Sequence, residues 1–142
     1  MTYKNLLIKY QYKLTNIFTL LYLSIFFIIA LSIKNTEFAG YIFLFFLVFI
    51  FTYAFLDKYV RKYLTLYSAA SAFLLLHILG GVIYFGDTRM YDYYFFELFR
   101  YDWFMHLLGG LLSGRIAYEI VKENFLYTKD SYQLFIIIII IS

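Results

Sequence analysis

The sequence of 142 residues contains no cysteine and no proline. Without cysteine, the chain has no disulfide, no zinc site built on thiolates and no cysteine nucleophile. Charge is scarce as well, because charged residues make up 15% of the chain, against roughly 25% in ordinary soluble domains. The net charge of +3 is spread along the sequence and forms no basic block of the kind that binds nucleic acid. We therefore expect no nucleic-acid partner.

Several common catalytic motifs are absent too. The sequence has no HExxH, which marks many zinc hydrolases, and no GxSxG, which marks serine hydrolases. It also lacks the glycine-rich motifs GxxxxGK and GxGxxG, which bind nucleotides. These absences exclude the familiar serine-hydrolase and nucleotide-binding functions.

What the chain has in abundance is apolar surface. Hydrophobic residues make up 64% of the sequence and the mean hydropathy is +0.77. A soluble domain of this composition would have too few polar side chains to cover its core. The composition therefore predicts an integral membrane protein whose main partner is the lipid bilayer.

Four segments have the length of about 20 residues that a membrane-spanning helix needs. They cover residues 14–33, 38–56, 64–85 and 101–121. The fourth is the least apolar, because it contains Asp102, His106, Arg115 and Glu119. The pattern predicts an all-α, polytopic transmembrane helix bundle that forms a single domain. The first segment, which follows three lysines, is alternatively a signal peptide, although its apolar stretch is longer than usual for one.

Two further segments do not fit a complete span. Residues 86–100 mix charges with tyrosine and phenylalanine, which is typical of the membrane surface, and predict a short interfacial helix or an ordered loop. Its aromatic residues favour a membrane anchor over a platform for a ligand. Residues 132–142 begin a fifth apolar helix that is too short to cross a bilayer. We expect a truncated piece of a longer protein; the alternative is a short tail lying in the bilayer.

The distribution of lysine and arginine orients the predicted spans. With the N-terminus in the cytoplasm, eight basic residues lie inside and three lie outside, which the positive-inside rule favours. The inner set is Lys4, Lys9, Lys13, Lys58, Arg61, Lys62, Lys122 and Lys129, and the outer set is Lys34, Arg89 and Arg100. We therefore expect a multi-pass protein of the cell membrane with a cytoplasmic N-terminus.

The motif HxxGG occurs twice, at His77 and at His106, and the chain has no other histidine. Asp102 precedes His106 by four residues, so the two side chains are neighbours on one helix face. On antiparallel helices both histidines lie about 10 Å beneath the outer surface. Each is then level with the glycine pair of the other helix, where an imidazole could fit into the notch.

Ionisable side chains within a membrane are functional candidates by default. Two histidines and a carboxylate could form a catalytic site or a three-ligand site for a divalent metal such as zinc, made of His77, Asp102 and His106. Such a site would belong to a membrane enzyme acting on a lipid-like or envelope substrate. The same residues could instead relay protons in a small proton- or cation-coupled transporter subunit, or only stabilise helix packing in a non-catalytic assembly protein. The substrate and the oligomeric state stay open, and a homo-oligomer is compatible with the sequence.

From His77 onwards, HxxGGxxY is followed by Met90-Tyr91-Asp92, by RYDxxxHxxGG and by Glu119. This order resembles the YjdF-like inner-membrane proteins, a family of unknown function, and more weakly the VanZ-like membrane proteins. The resemblance covers residues 77–119. It implies that the shared polar residues are His77, Tyr84, Asp92, Arg100, Asp102, His106 and Glu119. Separately from the resemblance, Arg115 and Glu119 are spaced for a local salt bridge.

The predicted topology can be tested with single cysteines, because the native chain has none. Thr88→Cys should react with a membrane-impermeant thiol reagent on intact cells, whereas Lys58→Cys should react only after the cells are opened. The opposite pattern of labelling would reverse the orientation of the bundle.

Overall fold

A computed structural model describes residues 3–95 and 97–125. Five α-helices occupy most of this part of the chain: α1 (Tyr3–Ser32), α2 (Thr36–Phe55), α3 (Asp57–Lys62), α4 (Leu64–Val82) and α5 (Tyr101–Phe125). The segment between α4 and α5 contains four two-residue strands, β1 (Tyr84–Phe85), β2 (Thr88–Arg89), β3 (Tyr94–Phe95) and β4 (Phe99–Arg100), and a 3-10 helix at Met90–Asp92. The predicted all-α fold class is confirmed.

Three of the described helices are long and apolar enough to cross a membrane. They are Leu6–Ser32, Thr36–Phe55 and Leu64–Val82, which correspond to the first three predicted spans. The fourth predicted span coincides with α5, a helix of 25 residues that is not one of these three. A fourth complete span therefore stays a prediction. The predicted partial helix at residues 132–142 lies outside the described residues.

The turn between α1 and α2 brings these helices side by side. Lys34 adopts φ 57°, and the backbone N–H of Asn35 donates to the carbonyl of Ala30 at 2.8 Å, a pattern that closes the last turn of a helix. Asn35 then caps α2, because its side-chain oxygen accepts from the N–H of Phe38 at 3.2 Å. Its Nδ2 donates to the carbonyl of Gly81 at 3.2 Å. One residue thus connects the turn to the end of α4.

Hydroxyl groups join α1 to α4 along a seam that sequence analysis did not detect. The buried side chains of Thr19 and Ser71 lie 2.6 Å apart, and the hydroxyl of Tyr22 donates to the carbonyl of Ser71 at 2.9 Å. Two more hydrogen bonds follow along the seam, between Thr15 and Ser68 (3.0 Å) and between Tyr67 and Asn16 (2.6 Å). Each such bond within a membrane is worth about 0.6 kcal/mol.

The segment Asp57–Lys62, which connects the second and third predicted spans, forms a short helix. Asp57 lies in the first turn of α3 and Arg61 and Lys62 in the last, an arrangement that complements the helix dipole. Asp57 accepts hydrogen bonds from Arg61 Nε at 2.9 Å and from the hydroxyl of Tyr12 at 2.6 Å. The hydrogen bond from Tyr12 has the largest effect and that from Arg61 the next, and both hold the pKa of the Asp57 carboxyl below its usual value.

The segment between α4 and α5 is an ordered loop, which was one of its two predicted forms, and the interfacial helix is not observed. Tyr84 and Phe85 of β1 pair with Arg89 and Thr88 of β2. At the turn between them Gly86 adopts φ 62°, which glycine reaches without steric cost. A second antiparallel pair, β3 with β4, leads directly into α5.

Aromatic rings fill the glycine notches of both HxxGG motifs, where we expected histidines. A Cβ at Gly81 would overlap the ring of Phe38, and one at Gly80 would lie 2.6 Å from the ring of Tyr101. On α5, the ring of Phe73 lies 3.2 Å from the corresponding position at Gly109. Aromatic rings occupy these positions because a flat ring packs against bare backbone without leaving a polar atom unpaired, as an imidazole would.

The two motifs supply a matched pair of substitutions. Gly81→Ala should lower the free energy of unfolding by about 1–3 kcal/mol, because Phe38 is buried and must move to admit the methyl group. At Gly110, the equivalent position on α5, a Cβ meets nothing within 4 Å. Gly110→Ala should therefore leave stability unchanged or raise it slightly. Denaturant titration in detergent measures both, and equal effects would contradict the described packing.

Candidate functional site: a polar cleft at one end of the bundle

A cleft of about 530 Å³ opens where α2 and α5 begin and α4 ends. Seven acidic, basic or histidine side chains line it: Glu37, His77, Arg89, Asp92, Arg100, Asp102 and His106. The wall also includes Tyr91 and Ser113 and the glycine pair of α5. We call this feature the polar cleft. Among the predicted site residues, both histidines, Asp92, Arg100 and Asp102 share it.

Asp102 and His106 form a pair on α5. His106 Nε2 lies 3.2 Å from Asp102 Oδ1, as the spacing of four residues predicts. The Asp102 side chain is 27% exposed and that of His106 is 82% exposed. The carboxylate engages one ring nitrogen, and the imidazole extends outwards from it.

His77 has a different partner. Its Nδ1 shares a hydrogen bond with the hydroxyl of Tyr91, from the 3-10 helix of the loop. Burial raises the pKa of the Tyr91 hydroxyl above its ordinary value, so this group keeps its proton and is available as a donor. The rings of Phe45 and Phe73 also surround His77, with centroids 6.0 and 6.2 Å away. His77 is therefore the inner histidine of the cleft and has an aromatic environment.

A chain of ion pairs forms the outer wall. Arg89 lies 3.7 Å from both Glu37 and Asp92. Arg100 Nη2 lies 3.1 Å from Asp92 and 3.5 Å from Asp102. Exposed pairs of this kind each contribute about 0–1 kcal/mol, so their value lies more in positioning than in stability. Arg100 Nε is buried and has no hydrogen-bond partner within the described part of the chain, which leaves a donor unused in the wall.

The structure does not assemble the predicted three-ligand metal site. Within residues 3–95 and 97–125, no group of three His, Cys, Asp or Glu side chains is arranged to hold a metal ion. His77 is engaged by Tyr91 and His106 by Asp102, so the two histidines belong to separate pairs. Metal binding stays a prediction without a ligand set in this conformation.

The remaining predicted residues lie elsewhere. Tyr84 is exposed on β1 and does not line the polar cleft. Arg115 and Glu119 form the predicted salt bridge on α5, and the Arg115 guanidinium lies 5.3 Å from the centre of the Tyr118 ring. This pair is outside the polar cleft.

Sequence analysis gave no site role to Glu37, Arg89 or Tyr91. Tyr91 belongs to the motif that carries the family resemblance, but the sequence favours a membrane anchor as the role of the aromatic residues in this segment. Glu37 and Arg89 are 52 positions apart in the sequence, so no local pattern predicts their ion pair. Only the return of the loop across the ends of α2 and α4 brings them together.

No family model, curated protein or solved structure matches the chain. Membership of the YjdF-like family therefore stays a prediction.

The pairing of the two histidines can be tested by NMR of the protein labelled with ¹⁵N-histidine, which gives signals from two side chains only. Tyr91→Phe should change the ring signals of His77 and leave those of His106 unchanged. Asp102→Ala should change the ring signals of His106 more than those of His77, because Asp102 is the contact partner of His106. If Tyr91→Phe changes the His106 ring as strongly as the His77 ring, the histidines share one site and the description as two pairs is wrong.

Proposed function

We propose that this integral membrane protein binds the polar part of a lipid-like or envelope substrate in the polar cleft and transfers a proton there through Asp102 and His106. The observation that carries the proposal is the contact of 3.2 Å between Asp102 Oδ1 and His106 Nε2. In the proposed mechanism the carboxylate accepts a hydrogen bond from the Nε2–H group, which keeps the proton on Nε2 and fixes the ring tautomer. The other ring nitrogen, Nδ1, is then the basic atom that takes a proton from the substrate or returns it.

The surroundings of the pair support a role beyond packing. A histidine retained only for packing would be expected to direct its ring into a helix contact, whereas the His106 side chain is 82% exposed. Arg100 contacts Asp102 and lines the cleft, where its positive charge suits a negatively charged or carbonyl oxygen of a substrate. The second pair, Tyr91 with His77, lines the inner part of the same cleft and would bind a substrate hydroxyl or phosphoryl oxygen there.

The proposed orientation follows from the distribution of basic residues. With the N-terminus in the cytoplasm, the polar cleft opens on the extracytoplasmic side of the cell membrane. The substrate would then reach the cleft from the outer leaflet. The proposed mechanism requires no metal, and a metal-assisted reaction would need a rearrangement that brings His77 to the Asp102–His106 pair.

The proposal can be tested with the full-length chain in vesicles made from the total lipid extract of the membranes in which it is produced. Mass spectrometry should detect a lipid that is converted with time. His106→Gln and Asp102→Asn should each lower the rate of conversion by about 10²–10⁴-fold, the usual contribution of a general acid–base group. Asp87→Asn is the matched control, because Asp87 is an exposed carboxylate outside the polar cleft.

Two outcomes would contradict this function. Lipid conversion that is unaffected by both substitutions would remove the acid–base role. Unchanged lipids together with a proton flux that depends on His106, measured with a pH-sensitive dye trapped in the vesicles, would identify a proton relay and therefore a transporter subunit.

A further inference from the structure

A second cavity of about 640 Å³ lies further along the bundle, towards α3. Side chains of α2, α4 and α5 line it, with a contribution from α3 and from Thr19 of α1. We call this feature the apolar groove. On α2 it involves Phe45, Val48 and Thr52, and Leu56 follows at the end of that helix. These residues lie three or four positions apart and therefore on one helix face.

The apolar groove and the polar cleft lie along the same faces of α2, α4 and α5. On α2, Phe38 and Tyr41 of the cleft precede Phe45 by about two helical turns and one helical turn, respectively, on that face. The faces of α4 and α5 continue in the same way, from Phe73 to Ala70 and from Ser113 to Ile116. The two cavities share no lining residue, but they follow one another along these three helix faces, with charged side chains at one end and an apolar surface beyond them. We call the two cavities together the trough.

Four polar side chains in the wall of the apolar groove, Thr19, Tyr67, Ser71 and Glu119, are paired with other protein groups. Thr19 bonds to Ser71, and the Glu119 side chain is 13% exposed and bonds to Arg115. Those bonds leave the wall a predominantly hydrocarbon surface, which favours an apolar occupant. The groove extends from Phe45 to Leu56, which is 11 residues or about 16 Å at the rise of an α-helix and roughly half of a 30 Å hydrocarbon core.

We infer that the apolar groove holds the hydrocarbon chain of the molecule whose head occupies the polar cleft. The ligand is then a long-chain amphiphile that lies along the faces of α2, α4 and α5. The inference rests on the proposed function for the identity of the head site. An apolar helix, from this chain or from a second copy, would suit the groove alone. If such a helix extended along both cavities, it would contact the charged side chains of the polar cleft, which are costly to bury against an apolar surface.

The inference can be tested by photo-crosslinking of the full-length chain in detergent micelles. The probe is lysophosphatidylethanolamine with a diazirine at the end of its acyl chain, whose zwitterionic head matches a cleft that contains both signs of charge. Peptide mapping should place the crosslink on Thr52, Leu56 or Ile116, and an excess of unlabelled lysophosphatidylethanolamine should remove it. Crosslinks on the exposed face of α1, at Ile17, Leu21 and Ile28, should resist competition, because that face contacts bulk detergent and lipid.

Two matched substitutions on α2 separate binding in the groove from contact with bulk lipid. Val48 lines the apolar groove and Ile50 does not, although the two side chains are similarly exposed, at 55% and 57%. Val48→Trp should reduce the competable crosslink at least about tenfold, because an overfilled site costs more than 1.4 kcal/mol. Ile50→Trp should leave it unchanged. Equal crosslinking in both variants, or crosslinks in the groove that no competitor removes, would overturn the inference.

Engineered cysteines test the other occupants. A disulfide between Val48→Cys and Ile138→Cys in one chain would show that the segment after α5 fills the groove, and a disulfide between two Val48→Cys chains would show a second copy there. Either disulfide, formed in high yield, would overturn the inference. Competable crosslinking without any lipid conversion would support the groove and contradict the proposed chemistry, whereas lipid conversion without crosslinking would do the opposite.

Discussion

The close packing of aromatic rings against Gly80 and Gly81 is the contact on which the polar cleft depends. Phe38 brings the start of α2 to the end of α4, and Tyr101 brings the start of α5 to the same place. The hydroxyl of Tyr101 also donates to the carbonyl of Leu76 at 2.8 Å, and Asn35 donates to that of Gly81. Because these contacts converge on one helix end, charged residues from three separate segments line a single cleft.

Helix α4 serves two different surfaces. Its serines face α1, where hydroxyl groups bond to one another across the seam. Its other side, with Phe73 and His77 near one end and Ala70 further along, forms the floor of the trough between α2 and α5. In a hydrocarbon solvent, unpaired polar groups are costly. The seam with α1 pairs hydroxyl groups with one another, whereas the trough gathers most of its charged side chains in the polar cleft.

The elements that could be predicted from sequence are those set by local spacing. The boundaries of α2 and α4 agree with the predicted spans within three residues, and the Asp102–His106 and Arg115–Glu119 contacts follow from a separation of four positions on a helix. The elements that escaped prediction depend on contacts between distant segments. They include the partner of His77, the ion pair of Arg89 with Glu37 and the hydroxyl seam between α1 and α4.

Composition by itself predicts a lipid environment, because a chain with 64% hydrophobic residues and few charges has too few polar side chains to cover its surface. Three helices long and apolar enough to cross a membrane are compatible with that prediction. The repeated HxxGG motif also predicted two of the side chains that line the polar cleft, His77 and His106. The tertiary structure decided how those residues combine. Aromatic rings from α2, from α4 and from the first residue of α5 occupy the glycine notches. The loop between α4 and α5 places Tyr91 beside His77. The two histidines therefore belong to separate pairs in one cleft, since each ring bonds to the group that folding places nearest to it.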